Sequence, residues 1–132
     1  MYNSRISGLG MYVPENIVSN DDLSKIMDTS NEWIIERTGI HERRHIKKGD
    51  GNSTVVMGVK AAKIAIERAG IDKDDIDLIL FATLSPDYYF PGSGVLAQEK
   101  LDIPTCPAMD IRNQCSGFIY AISTADQFLS LI

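Results

Sequence analysis

Leu78-Ile79-Leu80-Phe81-Ala82 is an apolar run without a polar break, and patterns of helical period lie on both sides of it. A half-solvated strand alternates apolar with polar residues, and an amphipathic helix returns to its apolar face every three or four positions. A short unbroken run flanked by helices instead predicts an interior strand of a largely parallel sheet. Upstream, Val55, Val59, Ala62, Ile66 and Ala69 share one helical face and Lys60, Lys63 and Glu67 the other. Ser53 is placed to cap that helix and Gly70 to stop it. Asp72 to Asp75 make a turn. Downstream, Gly92 to Lys100 predicts a second, small-residue helix, and Thr105-Cys106-Pro107-Ala108-Met109 a second short buried strand. A third helix follows from Phe118, Ile122, Ala125, Leu129 and Ile132, spaced by 4, 3, 4 and 3. Strands alternating with helices in this order predict an α/β layered domain.

The first third of the chain is less regular. Ile6 to Val13 reads as a strand leading to a turn, with Gly8 and Gly10 marking close backbone packing. It lacks the third glycine of a dinucleotide fingerprint, and Pro14 stands where a helix would have to run, which argues against NAD binding. Ser19-Asn20-Asp21-Asp22 supplies caps for a short helix through Met27. Asp28-Thr29-Ser30 starts another helix, Asn31 to Arg37, which Gly39 can close. Ile40 to Ile46 predicts an extended arm, Lys47 to Asn52 a polar loop, and Pro86 to Pro91 an irregular loop carrying Tyr88, Tyr89 and Phe90.

Composition narrows the function classes. A chain of 132 residues suffices for one modest domain, and 44% hydrophobic with 23% charged residues suits a globular one. A net charge of -5 without a basic tail argues against nucleic acid. No apolar run approaches the roughly 20 residues that cross a bilayer, and no signal peptide is evident, so a cytoplasmic protein without membrane contact is expected. Cys106 and Cys115 form no CxxC pair, and with only two histidines no metal site is expected. The one basic stretch contains Arg37, Arg43, Arg44, Lys47 and Lys48. Two readings of it stand, a solvated ion-paired surface and a site for an anionic ligand.

Cys115 lies where a strand gives way to a helix. Unpaired N–H groups and the helix dipole there favour a thiolate, and Gly117 leaves room for a substrate. The opposing reading is a small buried hydrophobe. A nucleophile needs a base within hydrogen-bond reach. His41 and His45 lie far upstream beside the basic arm, and surface roles are expected for both.

The stretch Asp110-Ile111-Arg112-Asn113-Gln114-Cys115-Ser116-Gly117-Phe118 resembles the nucleophile segment of the ketoacyl synthase III enzymes. These are thiolase-fold condensing enzymes that begin bacterial fatty-acid synthesis. Asp28-Thr29-Ser30-Asn31-Glu32-Trp33-Ile34, Arg37-Thr38-Gly39-Ile40 and Phe90-Pro91 match the family in the same order, and the likeness runs from Met1 to Ile132. The resemblance implies a thiolase-like layered α/β/α fold, with residues 1–132 as the N-terminal half of the duplicated fold. It implies an acyltransferase that condenses an acyl-coenzyme A starter with malonyl-acyl carrier protein, with no permanently bound cofactor and coenzyme A thioester as substrate. Cys115 would be the acyl-accepting nucleophile. Thr29, Trp33 and Arg37 would hold coenzyme A, the indole on adenine and the guanidinium at the nucleotide end. Phe90 would cross a homodimer interface to cap the partner's acyl pocket. The family's catalytic His and Asn lie in a C-terminal half outside these residues.

Two departures from the family pattern stand out. Arg112-Asn113-Gln114 replaces the small residues that commonly precede the nucleophile, which opens the alternative of a polyketide or alkyl-chain pathway with another starter. The chain ends at Leu129-Ser130-Leu131-Ile132 with the helix pattern intact. An incomplete domain, inactive and unstable without a further chain, is therefore also expected.

Overall fold

In the computed structural model, which describes residues 4–130, the chain runs β1 (Ile17–Ser19), α1 (Asn20–Ser24), α2 (Asn31–Thr38), β2 (Glu42–Arg44) and α3 (Thr54–Ala69). A 3-10 turn at Lys73–Asp75 follows, then β3 (Ile79–Ala82), α4 (Ser93–Leu101), β4 (Ala108–Ile111) and α5 (Gly117–Ser130). Contacts divide it into two compact units, one of Val13–Asn52 and one joining the segment before Val13 to the chain from Ser53 onward.

The smaller unit is held by polar contacts as much as by apolar burial. β1 and β2 pair antiparallel, Val18 opposite Arg43. Ser19 caps α1 and exchanges hydrogen bonds with Asp22, closing a capping box. The predicted helix through Met27 ends sooner, at Ser24. Asn20 is only 1% exposed and joins three segments. Its amide donates to Asn31 Oδ1 (3.0 Å) and the Ile40 carbonyl (2.8 Å), and its oxygen accepts from the Arg43 guanidinium (2.7 Å). A buried amide so fully partnered sets the chain path without the penalty of an orphaned polar group.

In the larger unit β3 and β4 pair parallel, Phe81 opposite Asp110. Side chains alternate across a strand, and the two faces of β3 differ accordingly. Phe81 meets the core made by Val55 and Val59 of α3 with Ala97 of α4. Leu80 and Ala82 face α5 across an open apolar trough of about 760 Å³, lined also by Leu78, Phe118, Ile122 and Phe128. Ile132, the last position of the predicted α5 stripe, lies outside the described residues.

Three expectations are corrected. Residues 6–13 are not a strand and pair with none among the described residues. Their glycines nevertheless press against α3, since a Cβ on Gly8 would lie 2.2 Å from the Ala65 carbonyl oxygen and one on Gly10 1.9 Å from that of Ala61. The second strand begins at Ala108 rather than Thr105, which leaves Cys106 outside it, and it is only partly buried. Among the described residues β3 has one strand neighbour rather than two, so it is half-buried and not interior.

The start of α3 rests on a residue far along the chain. Asp87 Oδ2 accepts from Ser53 Oγ (2.6 Å) and the Val55 N–H (3.1 Å), and Oδ1 from the Thr54 N–H (2.8 Å). Burial raises the Asp87 pKa, but hydrogen bonds from Ser53, Val55 and Thr54 outweigh it and hold the carboxyl below its ordinary value. A depressed pKa contributes stability above the unfolded value of about 4, lost as pH falls through the folded value. Asp87→Ala, which removes the capping oxygens, is expected to destabilise by about 0.5–2 kcal/mol near neutral pH. In denaturant unfolding across a pH series, the gap between wild type and variant should narrow as the medium becomes acid.

Candidate active site and coenzyme-binding face

Five residues separate the end of β4 from Gly117 at the start of α5, and Cys115 lies among them. Their backbone is tightly turned: the Asn113 N–H donates to the Ile111 carbonyl and the Gly117 N–H to that of Gln114, both at 3.1 Å. The first bond into α5 runs from the Tyr120 N–H to the Ser116 carbonyl (3.0 Å). Cys115 is exposed, which removes the reading of a small buried hydrophobe. A thiol held open at a strand-to-helix junction can meet an external electrophile. Cys106 is half-buried and sits beside the Gln98 amide, 3.5 Å from its sulfur.

The polar residues before Cys115 are satisfied locally. Asn113 Oδ1 accepts from Ser116 Oγ (3.1 Å), Gln114 is exposed, and Arg112 donates to the Tyr89 carbonyl (3.3 Å). Its guanidinium also lies 5.4 Å from the centre of the Tyr89 ring, within cation–π range. Tyr89 is 89% and Phe90 91% exposed, so the loop between β3 and α4 offers large aromatic surface that this chain does not cover. Arg112 thus joins the segments that carry Cys115 and Phe90.

Thr29, Trp33 and Arg37 belong to the smaller unit. Ser30 caps α2, accepting from the Trp33 N–H (3.1 Å), and Gly39 ends it with φ 69°. Ile34 anchors the inner face at 8% exposure, whereas Trp33, one residue earlier, is 52% exposed and is not a core aromatic. Residues four apart share a helix face, and the Arg37 guanidinium lies 5.0 Å from the indole centre. Together they present a flat π surface edged by positive charge. Thr29, just before the cap, has a buried hydroxyl without a hydrogen-bond partner among the described residues. Such an oxygen is expensive to leave unsatisfied, and a polar ligand group can supply its partner.

The basic stretch resolves into two parts. Arg43 donates to Asn20 and the Val18 carbonyl, and Arg44 to the carbonyls of Pro14 and Glu15. Both serve the fold through neutral acceptors rather than as an anion site. His41 and His45 flank β2 and are exposed.

Sequence reasoning missed Asp87 and Asp110. Asp110 accepts from the Ser93 and Gly94 N–H groups, both at 2.7 Å, and so caps α4, whose own Gly92 offers no side chain for the purpose. A local reading looks for caps beside the helix start, and these carboxylates reach it from other parts of the chain.

No family model matches the chain. It is 48% identical over 127 residues to a beta-ketoacyl-acyl carrier protein synthase III of Methylococcus capsulatus and 53% identical over 127 residues to one of Vibrio vulnificus. Each match takes in 96% of this chain and 39% of the relative, so the chain spans about two fifths of the length of these proteins. Among solved structures, the 3-oxoacyl-acyl carrier protein synthase III of Aquifex aeolicus superposes with a TM-score of 0.92 at 44% identity, over 97% of this chain and 41% of that one. The priming beta-ketosynthase of a polyketide biosynthetic pathway superposes at 0.87 and 34% identity, over 93% of this chain and 36% of that one. The expected thiolase-like α/β layering is thereby confirmed. Among the described residues no helix is long and apolar enough to cross a membrane.

Proposed function

We propose that this chain, which belongs to the beta-ketoacyl-acyl carrier protein synthase III family and corresponds to its N-terminal portion, carries the acyl-accepting cysteine and the coenzyme A face of a decarboxylative condensing enzyme. The observation that carries the proposal is the exposed thiol of Cys115 in the turn between β4 and α5. Its thiolate attacks the thioester carbon of an acyl-coenzyme A. The carbon–sulfur bond to coenzyme A breaks, the leaving thiolate takes a proton, and the acyl group remains on Cys115. The Cys115 N–H serves as an oxyanion donor. Malonyl-acyl carrier protein then loses carbon dioxide, and its enolate carbon attacks the acyl-cysteine. The product is a 3-ketoacyl-acyl carrier protein, and the Cys115 thiolate is released.

Trp33 and Arg37 receive the adenine end of coenzyme A, with Thr29 lining the same site. Phe90, which this chain leaves uncovered, serves the acyl pocket of a partner subunit in a cytoplasmic homodimer. The exposed apolar stripe of α5 receives the C-terminal half of a family member, where the resemblance places the His and Asn that assist decarboxylation. The test uses the full-length protein with an acyl-coenzyme A and malonyl-acyl carrier protein. One carbon dioxide and one 3-ketoacyl product per coenzyme A released are expected. Release of coenzyme A without carbon–carbon bond formation would overturn the proposal.

A second reading, a specialised pathway with another starter, is favoured by Arg112-Asn113-Gln114 and by the likeness to a polyketide priming enzyme. A clear preference for acetyl-coenzyme A over longer starters would count against it.

A further inference from the structure

Gln114 and Cys115 form the exposed tip of the turn between β4 and α5, while Asn113 and Ser116 on either side are half-buried. The Ser116 hydroxyl donates to Asn113 Oδ1 (3.1 Å), so a side-chain bridge closes across the tip. The bridge is seated on the fold. Gly117 beside it packs so closely that a Cβ there would lie 3.4 Å from the Cβ of Ala82, at the end of β3, and 3.7 Å from that of Asn113. Ser116 also stands where a helix cap belongs, since its carbonyl accepts the first bond of α5. A serine at that position ordinarily accepts an N–H from the first turn. Here its hydroxyl accepts none among the described residues and is turned to Asn113 instead. The N–H groups of Asn113 and Gly117 are taken by the Ile111 and Gln114 carbonyls, whereas the Cys115 N–H donates to no group among the described residues.

We propose that Asn113 is a positioning residue for acyl transfer: by bridging to Ser116 across Cys115 it fixes the peptide of the nucleophile, so that the free Cys115 N–H and the Cys115 thiol meet the same thioester carbonyl. The proposal rests on the reading of Cys115 as the acylated residue. When the thiolate attacks the thioester carbon, negative charge moves to the carbonyl oxygen, and an N–H already aimed there stabilises it without reorganisation. Cys115 stands at an exposed tip, where the backbone has little else to hold it. A short amide suits the task because it offers a neutral acceptor. An alanine could make no bridge, and a carboxylate would set a negative charge beside the developing oxyanion.

Two reactions of Cys115 in the full-length protein provide the test. Acylation by acetyl-coenzyme A, followed by rapid quench and intact mass, develops an oxyanion. Alkylation by iodoacetamide displaces iodide and develops none. Asn113→Ala is expected to slow acylation at saturating acetyl-coenzyme A about tenfold, less than the roughly 10²- to 10³-fold of losing an oxyanion donor outright, because the donor is displaced and not removed. The KM for acetyl-coenzyme A and the alkylation rate should change little. Ser116→Ala should reproduce the effect, the double variant should lose no more than either single one, and Ser116→Thr, which keeps the hydroxyl, should lose much less. Thermal unfolding identifies any variant that does not fold, and Ser116→Ala carries the test if Asn113→Ala fails. Unchanged acylation in folded variants, equal falls in acylation and alkylation, or additive effects of the two alanine substitutions overturn the role of Asn113 alone. Alkylation of wild-type Cys115 without any acyl adduct overturns the parent reading and this one together.

Discussion

Cys115→Ser is expected to abolish the acyl adduct that wild-type protein forms with an acyl-coenzyme A, with a fall in acylation rate on the order of 10⁴-fold or more. A serine hydroxyl is almost wholly protonated near neutral pH, whereas a cysteine is partly thiolate and intrinsically more nucleophilic. The substitution changes one exposed atom in a turn held by backbone hydrogen bonds, so the fold should be unaffected. Intact mass should show one acyl group per wild-type chain and none in the variant. Cys106 provides the internal control. It is less accessible than Cys115, precedes β4, and has the Gln98 amide against its sulfur. An adduct that survives in Cys115→Ser, or one that maps to Cys106, would sink the assignment of the nucleophile.

Trp33→Ala and Arg37→Ala are each expected to weaken coenzyme A binding by about 1–3 kcal/mol, or roughly 5- to 150-fold in Kd. Trp33 offers the stacking face and Arg37 the charge, and their separation of 5.0 Å makes them one surface rather than two. Losing the indole leaves Arg37 without its platform, so the double variant should lose less than the sum of the single losses. The fold should be retained, because the buried side of α2 is Ile34, while Trp33 is half exposed. Calorimetric titration of the full-length variants measures both effects. Unchanged titrations for both would reduce the pair to a solvated helix face.

Much of this was legible because its causes are local. The apolar run Leu78–Ala82, the periodicity of α3 and α5, the caps Ser19, Ser30 and Ser53, and the stops Gly39 and Gly70 depend on residues within a few positions of one another. Each appears where the pattern put it, with boundaries moved by up to three residues. The placement of Cys115 between a strand and a helix came from the same kind of signal. The pairing of Trp33 with Arg37 was an implication of the family resemblance, and their i, i+4 spacing on α2 accounts for the shared face the fold shows.

Other features depended on distant parts of the chain. Whether residues 6–13 form a strand depends on a ladder partner, and among the described residues there is none; Gly8 and Gly10 lie instead on the backbone of α3. Whether β3 is interior depends on how many strands adjoin it, and whether Cys115 is buried or open depends on what covers its turn. The basic stretch looked uniform as a sequence, yet in the fold Arg43 and Arg44 donate to backbone carbonyls and an asparagine. The carboxylates that cap α3 and α4 arrive from 33 and 16 residues away in the chain. Periodicity, capping and reactivity are properties of neighbouring residues, so the elements, their order and the chemistry available at Cys115, Trp33 and Arg37 could be read along the chain. Which side chains are open to a ligand, and that Arg112 holds Tyr89, follow from burial and long-range hydrogen bonds, which arise when separate segments meet.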